Sequence, residues 1–401
     1  MVILTAQMEG FLTMNYLYKN NSKQTYILKM MTQSLWFFLS GALFSSAFFS
    51  FNIQAEPYLA IKNNLKCAAC HVNPNGGGLR NDFGKIYGQS LLPAAANSYD
   101  NAKLAKLMQY LSVGADARFN ATFQKTEQAE NNTSQSFEIS SAQVYINIKI
   151  PNSNLSLYVD QQVSPGSAIN RETIVMYQFE QGESIQDSYI KAGKLFIPYG
   201  LRIEDDSAFI RTATGMNFDN SDNGVEYGFN YKNTAINLYV ANGTSQATNN
   251  DDSFLYGMRF EQLFSNFRIG SSIALNDGDK QVQMFNVYGG MQWRDFTFLA
   301  EIDHITLEAA NNVNQQDITQ LISLAEINYQ WKQGWNFKLT AEYFDSDDDV
   351  SENEQTRYSF ISEYTPISNI QLRLGFRATQ DIPQKPQQNY DMVFMQSHFY
   401  F

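Results

Sequence analysis

Cysteine and histidine are nearly missing from this chain of 401 residues, which has two of the first and three of the second. That scarcity excludes a disulfide-stapled scaffold, which needs several bridges in place of a large core. It also leaves a closed zinc site short of ligands, because Cys67 and Cys70 stand together while His304 and His398 lie far off in strand-like segments. Basic charge is short too: 28 Lys and Arg face 40 Asp and Glu, for a net charge of −12. Nucleic acid needs basic patches to neutralise its phosphates, so it is not expected as a partner. Long apolar runs are lacking but for residues 35–51, and mean hydropathy is only −0.35. A helical membrane protein needs one such run for every span. Nor does the chain contain G-x-S-x-G, a Walker loop or H-E-x-x-H, so no hydrolytic centre stands out.

Aromatic residues, by contrast, are abundant, with 30 Phe and 23 Tyr. With so much apolar surface and so low a hydropathy, apolar and polar residues must be interleaved, which points to a large β protein. The single apolar run has the length of a signal-peptide core. Lys29 precedes it and Ala55 follows as a small cleavage residue, so residues 1–55 read as an export signal, with an uncleaved anchor helix as the alternative. A start at Met30 or Met31 would give that signal an ordinary length.

Just beyond it stands Cys67-Ala68-Ala69-Cys70-His71, the C-x-x-C-H spacing of c-type haem attachment. Two thiols add to the haem vinyl groups, and the adjacent imidazole then lies under the iron as the proximal ligand. The competing readings of a C-x-x-C pair are a redox dithiol and half of a zinc site. Asn73 to Gly78 is a turn signal ending in three glycines, and residues 79–89 suit a short helix presenting Phe83, Ile86 and Tyr87 to the porphyrin. Lys66 and Arg80 are candidates for the propionates, against a plain reading as solvated cations. For the sixth iron position the candidates are Met108, Met216, His304 and His398, or no protein ligand at all. A compact haem module over residues 56–108 is therefore expected, with one covalent haem c as cofactor.

From residue 109 onward the pattern alternates. Trp335, Phe337, Leu339, Ala341 and Tyr343 interleave with Asn336, Lys338, Thr340 and Glu342, and residues 111–123, 144–150 and 370–377 repeat the pattern. Such alternation fits a transmembrane barrel, apolar to lipid and polar to its lumen, and equally a soluble sandwich. Connection length separates them. Strands starting near residues 109, 135, 154, 172, 185, 224, 234, 253, 266, 281, 295, 318, 335, 355, 370 and 390 are joined alternately by short turns and long loops. That is the plan of an outer-membrane barrel of about sixteen strands, with periplasmic turns and external loops. Glu301, Asp303, Glu326, Lys338, Glu342, Arg373 and Arg377 then face the lumen, and their mixed signs imply a cross-linked, partly filled interior. The longest loop, residues 201–223, can fold inward as a constriction. Acids gather in the loops, at Glu204-Asp205-Asp206, Asp251-Asp252, Asp277, Asp279, Asp345 and Asp347-Asp348-Asp349, either as solvated tips or as a funnel for cations.

An export signal, one C-x-x-C-H near the mature N-terminus and then a porin-like barrel resembles the monohaem cytochrome–porin fusions of the bacterial outer membrane. The likeness covers most of the mature chain in layout, and only Cys67, Cys70 and His71 match it as a specific motif. The stretches 189–194 and 198–200 also look like a strand and turn common in bacterial porins. The resemblance implies electron transfer between an extracellular donor or acceptor, ferrous iron in the best-known members, and a periplasmic electron carrier. Asn73 to Gly78 departs from the iron oxidisers, which leaves the donor open. The rival class is a solute-conducting porin whose haem is a sensor, gate or structural plug; a haem-free porin with a chance motif is the third. Outer-membrane lipid is a partner in all three.

Overall fold

The computed structural model describes residues 56–95, 110–127, 133–180, 182, 185–216, 220–243, 253–278, 281–308, 316–380 and 389–401. The export signal over residues 1–55, Met108 and the loop acids Asp251, Asp252 and Asp279 lie outside them. Among the described residues sixteen strands form a closed barrel, each antiparallel to its neighbours in sequence order, and the last strand pairs with the first. They are β1 (Leu111–Thr126), β2 (Thr133–Lys149), β3 (Leu155–Ser164), β4 (Ile169–Gln178), β5 (Ile185–Leu195), β6 (Asp222–Tyr231), β7 (Thr234–Ala241) and β8 (Leu255–Leu263). The circuit continues with β9 (Phe267–Asp277), β10 (Gln281–Trp293), β11 (Phe296–Leu307), β12 (Ile318–Lys332), β13 (Trp335–Asp345), β14 (Gln355–Ile367), β15 (Ile370–Gln380) and β16 (Tyr390–Tyr400). Strand number and the alternation of short and long connections match the sequence reading. No described helix is long and apolar enough to cross a membrane; the crossing elements are strands, whose backbone groups all pair within a closed sheet.

Alternation decides which way each side chain points. On β13, Asn336, Lys338, Thr340 and Glu342 are buried in the lumen, whereas Leu339 is half exposed on the outer wall. Ile302, Phe360, Phe376 and Val287 belong to the same outer apolar surface. At the short-turn end this surface finishes in an aromatic girdle. Trp335 stacks on Tyr364 at 4.3 Å, Phe296 on Tyr329 at 4.8 Å and Phe264 on Phe267 at 4.2 Å. Such girdles mark the lipid–water interface of outer-membrane barrels.

Inside, several large rings lie flat over glycines on the neighbouring strand. Tyr189 pairs with Gly228, Tyr239 with Gly257, Tyr288 with Gly270 and Phe394 with Gly375. A Cβ on Gly270 would come 2.2 Å from Tyr288 Cζ. Gly270→Val is therefore expected to lower unfolding stability in detergent by about 1–3 kcal/mol, the usual cost of overpacking. A denaturant midpoint equal to that of the unmutated protein would contradict this packing.

The lumen is filled from both ends. From the short-turn end enters the segment 56–95, with helices α1 (Pro57–Lys62) and α2 (Asp82–Ile86) and a π turn over Tyr87–Leu91. Several hydrogen bonds fasten it to the short turns. Ala94 and Ala95 donate to the carbonyls of Thr365 and Pro366, Gln333 donates to Pro93 O at 2.8 Å, and Ser368 to Gln89 O at 2.8 Å. From the long-loop end the connection after β5 folds inward, carrying a one-turn helix α3 (Phe209–Thr212). The amide of Leu201 donates to Glu301 at 2.6 Å and that of Phe209 to Glu342 at 2.8 Å. This inward fold is the constriction expected from the sequence. It corrects the placement of Glu204 and Asp205, which are not solvated loop tips. They turn into the lumen, where guanidinium groups receive them: Arg118 and Arg373 pair with Glu204, and Arg377 with Asp205.

Candidate functional site

Residues 66–81 form a small hairpin that projects into the lumen. A 3-10 turn, Cys67–Ala69, brings the two cysteines round, and His71 bridges to Arg80 across the hairpin. Val72 donates to Leu79 O at 2.9 Å and Asn81 to Cys70 O at 3.0 Å. Asn81 is the hinge of this arrangement. Its side-chain amide donates to the carbonyls of Ala68 and Ala69, both at 3.0 Å, while its oxygen caps α2 by accepting from Gly84 N at 3.0 Å. Gly84 is needed there, since a Cβ would lie 2.1 Å from Cys70 O. The glycines at the hairpin tip all have positive φ, as the turn signal required.

The tip is anchored in the barrel wall by buried polar contacts. Asn73 donates to both oxygens of Glu172 at 3.0 and 2.8 Å, and Asn75 to both of Glu226 at 3.0 and 2.8 Å. Lys191, fully buried on β5, pairs with Glu226 at 2.9 Å and donates to Asn73 Oδ1 at 3.2 Å. Glu172 also accepts the amide of Phe196 at 2.9 Å, so one carboxylate ties the hairpin to the root of the constriction loop. At the other flank Glu56 pairs with Lys338 and Arg373, and the Tyr58 hydroxyl donates to Glu363 at 3.4 Å. The helix α1 covers apolar lumen positions: Leu59 and Ile61 belong to one cluster with Tyr288, Leu299, Ile305 and Ile322.

Between hairpin, α1 and the constriction loop lies a cleft. Cys67, Cys70 and His71 line it together with Leu59, Ile61, Leu65, Tyr87, Tyr199 and Leu201, with Arg80 and Arg202, with Arg259 and Arg268 that pair with Glu261, and with Glu56 and Glu204. Apolar walls with a few convergent charges are what a large, flat, dianionic cofactor requires. Two further observations fit a c-type haem. His71 is 4% exposed, and its Nδ1 is buried without a hydrogen bond. Burial first, and the Arg80 charge second, push its pKa down to about 3, so the imidazole is neutral. Arg80, also 4% exposed, has a buried Nε with no partner, and no carboxylate stands within ion-pair reach of it among the described residues. Burial lowers its pKa to about 10, which still leaves it cationic at neutral pH. A buried guanidinium without a counter-charge is costly, and an acidic group entering the cleft would supply one.

Both cysteines are free thiols. Burial raises the pKa of each, the opposite of what a redox dithiol needs to form its thiolate. Lys66 also lines the cleft, with its ammonium on Lys232 O at 3.2 Å. Of the aromatic and aliphatic residues expected against a porphyrin, only Tyr87 lies there. Phe83 and Ile86 are 48% and 62% exposed and do not line the cleft, which meets the helix only at Gly84 and Tyr87. The other candidates for the sixth iron position are elsewhere. His304 points to the outer wall, His398 is engaged with Asp116 and Gln371, and Met216 packs beside Leu79 and Tyr199 without lining the cleft. The cleft also draws on residues that the motif did not suggest. Tyr199 and Arg202 come from the constriction loop, Arg259 from β8 and Arg268 from β9, and Arg268 holds the carbonyls of Ala60 and Leu65 at 3.0 and 2.7 Å.

A closed antiparallel barrel with an outer apolar wall, an aromatic girdle and a polar, loop-constricted lumen is an outer-membrane β-barrel of the porin type. Solved structures bear the fold out. An anion-selective porin from Comamonas acidovorans superposes with a TM-score of 0.59 over 73% of this chain and 99% of its own, at 8% identity. OprB of Pseudomonas putida gives 0.58 over 78% and 99%, at 6% identity. OmpT of Vibrio cholerae, in trimer form, gives 0.56 over 73% and 100%, at 12% identity. No family model and no curated protein matches the chain.

Proposed function

We propose that this barrel is an electron carrier of the outer membrane, holding one c-type haem on Cys67, Cys70 and His71 inside its lumen. In this reading electrons pass between an extracellular donor or acceptor, ferrous iron among them, and a periplasmic carrier. The observation that carries it is the position of the C-x-x-C-H hairpin. A single haem is much smaller than a hydrocarbon core of about 30 Å, so it can serve both sides only from within the barrel. Cys67 borders the cleft and also the space that opens at the short-turn end, beside Lys66, Asp187 and Lys232. Glu204 borders the cleft and also the space toward the long loops, beside Arg118, Glu138 and Tyr390.

Covalent haem would supply a one-electron couple, with its potential set by ligation, burial and nearby charge. The chain's own residues have defined parts in that arrangement. Cys67 and Cys70 would hold the thioether links, and His71, kept neutral, offers its lone pair. Arg80 offers the uncompensated cation to a propionate, and Asn81 keeps the 3-10 turn against α2. Lys66 is a second propionate candidate at the mouth. Met108, outside the described residues, stays a candidate for the sixth position. Cys67→Ser is expected to abolish the haem-staining band on denaturing gels and the transfer of electrons to extracellular iron. Unchanged transfer in that variant would sink the proposal.

The second reading is a solute-conducting porin in which the haem module is a sensor, gate or structural plug. The likeness to channel proteins, one of them anion-selective, bears on this reading more directly than on the first, since it concerns the barrel alone. Ion flux through the intact protein distinguishes the two.

A further inference from the structure

On β11 two inward-facing acids, Glu301 and Asp303, are 2% and 0% exposed. Several other acids of the lumen are threaded with cations, Glu226 by Lys191, Glu261 by Arg259 and Arg268, Glu342 by Arg357, Glu363 by Lys338 and Arg373, while Glu172 and Asp222 are satisfied by amide donors. Among the described residues no Lys, Arg or His forms an ion pair with Glu301 or Asp303. Glu301 accepts from the Leu201 amide at 2.6 Å and from Asn286 Nδ2 at 2.7 Å. Both oxygens of Asp303 are buried and take part in no hydrogen bond of ordinary geometry, with Asn286, Glu301 and the Tyr199 hydroxyl facing them.

A second group is left open beside them. The Tyr199 hydroxyl, on a side chain 6% exposed, is buried without a hydrogen-bond partner. The loop backbone is drawn onto the same point. Gly200 has φ +52, and a Cβ there would fall 1.9 Å from Glu301 Oε1. An unpaired buried carboxylate must be neutralised, paired or bound to a metal. Here the surrounding donors are all oxygens, the preference of hard divalent cations.

We propose that Asp303, Glu301 and the Tyr199 hydroxyl form a binding site for one divalent cation. Asp303 supplies the two open oxygens, Glu301 the remaining lone pairs of a carboxylate already positioned by Leu201 and Asn286, and Tyr199 a neutral oxygen. The cation reaches them past Tyr199, Gly200 and Leu201, which line the cleft. A redox-active cation held here would stand one phenol ring from the cleft of Cys67, Cys70 and His71. That last link rests on the haem reading; cation binding does not.

The test is Mn2+ binding to purified full-length protein, followed by electron paramagnetic resonance after treatment with chelator. Asp347, Asp348 and Asp349, whose carboxylates lie within 4.8 Å of one another, are first changed to Asn to remove surface binding. One Mn2+ per barrel is expected in that background. Its affinity should fall by ~100-fold or more in Asp303→Asn, beyond the 10–100-fold typical of groups that only support a ligand. Tyr199→Phe should weaken binding while preserving both carboxylates, and it carries the test if Asp303→Asn does not fold. Absence of bound Mn2+ at millimolar metal, or equal binding in folded Asp303→Asn, overturns the proposal. So does a protonated-carboxyl infrared band that persists with Mn2+ present and disappears in Asp303→Asn, because the site then holds a proton. Haem staining is unaffected in every one of these outcomes, so failure here and failure of the electron-transfer reading are separable.

Discussion

Removing residues 57–95 is expected to turn a barrel that conducts ions poorly into an open channel. A barrel of sixteen strands is wide enough for an aqueous pore, and here that width is taken up by the hairpin, α1 and α2 on one side and the constriction loop on the other. Closure of the wall does not depend on the plug. β1 and β16 pair over eleven residues, from Asp116 with Tyr400 to Thr126 with Tyr390, and every strand keeps both neighbours without residues 57–95. The groups that the deletion uncovers are polar: Glu172, Glu226 and Arg268 lose plug partners and regain water, and Lys191 retains Glu226 at 2.9 Å. Two apolar lumen patches lose cover, Leu299, Ile305 and Ile322 under α1 and Tyr145, Tyr158 and Ile174 under Leu79, which costs some stability but not the barrel. Single-channel recording in planar bilayers should show a several-fold larger conductance for the deletion than for the intact protein. If the intact protein conducts as freely, the plug does not occlude, and the solute-channel reading takes precedence over electron transfer.

The barrel was legible because its code has a period of two and is written in every strand. Residue by residue, Glu301, Asp303, Glu326, Lys338, Glu342, Arg373 and Arg377 stand in the lumen as their parity demands. The plug was less legible, for a physical reason. The lumen face of β11 and β12 is not uniformly polar: Leu299, Ile305, Ile322 and Leu324 point inward among acids. Such residues break the polar-in rule only where something apolar enters, in this case α1 and α3. Apolar residues at both parities of 321–325 were the available signal for an occupied lumen. The motif located Cys67, Cys70, His71 and Arg80 within one cleft, since hairpin neighbours are close in sequence. Tyr199, Arg202, Arg259 and Arg268 join them only through the closed sheet and the inward loop, and no local pattern marks a contact across 130 residues. Phe83 and Ile86 were misjudged for the same reason, because they share a helical run from Asp82 to Leu91 with Tyr87 but the part of it that meets the cleft is set by the barrel around it and not by local spacing.

Lys338→Met should be among the most damaging single changes in the lumen. Its ammonium is the centre of three carboxylates: it pairs with Glu56, and stands 3.5 Å from Glu363 and 3.9 Å from Glu326. Methionine keeps most of the stem and deletes only the charge, so packing is largely preserved. What remains is three buried acids with Arg373 as shared cation, 3.2 Å from Glu363 and paired with Glu56 and Glu204. Breaking a buried pair from one side costs about 3–5 kcal/mol, because the partner's charge is left uncompensated. Arg373 moderates that penalty for Glu56 and Glu363 but gives Glu326 nothing, so a loss of about 3 kcal/mol is expected. The measurement is the denaturant midpoint of the folded barrel in detergent, read by tryptophan fluorescence. Adding Glu326→Gln to Lys338→Met should restore part of the loss, since it removes the acid that Arg373 does not reach. A loss below about 1 kcal/mol, the scale of an exposed ion pair, would mean that water screens these charges. The plug would then sit in a hydrated channel, and a dry, low-dielectric seat for a redox group would have to be abandoned.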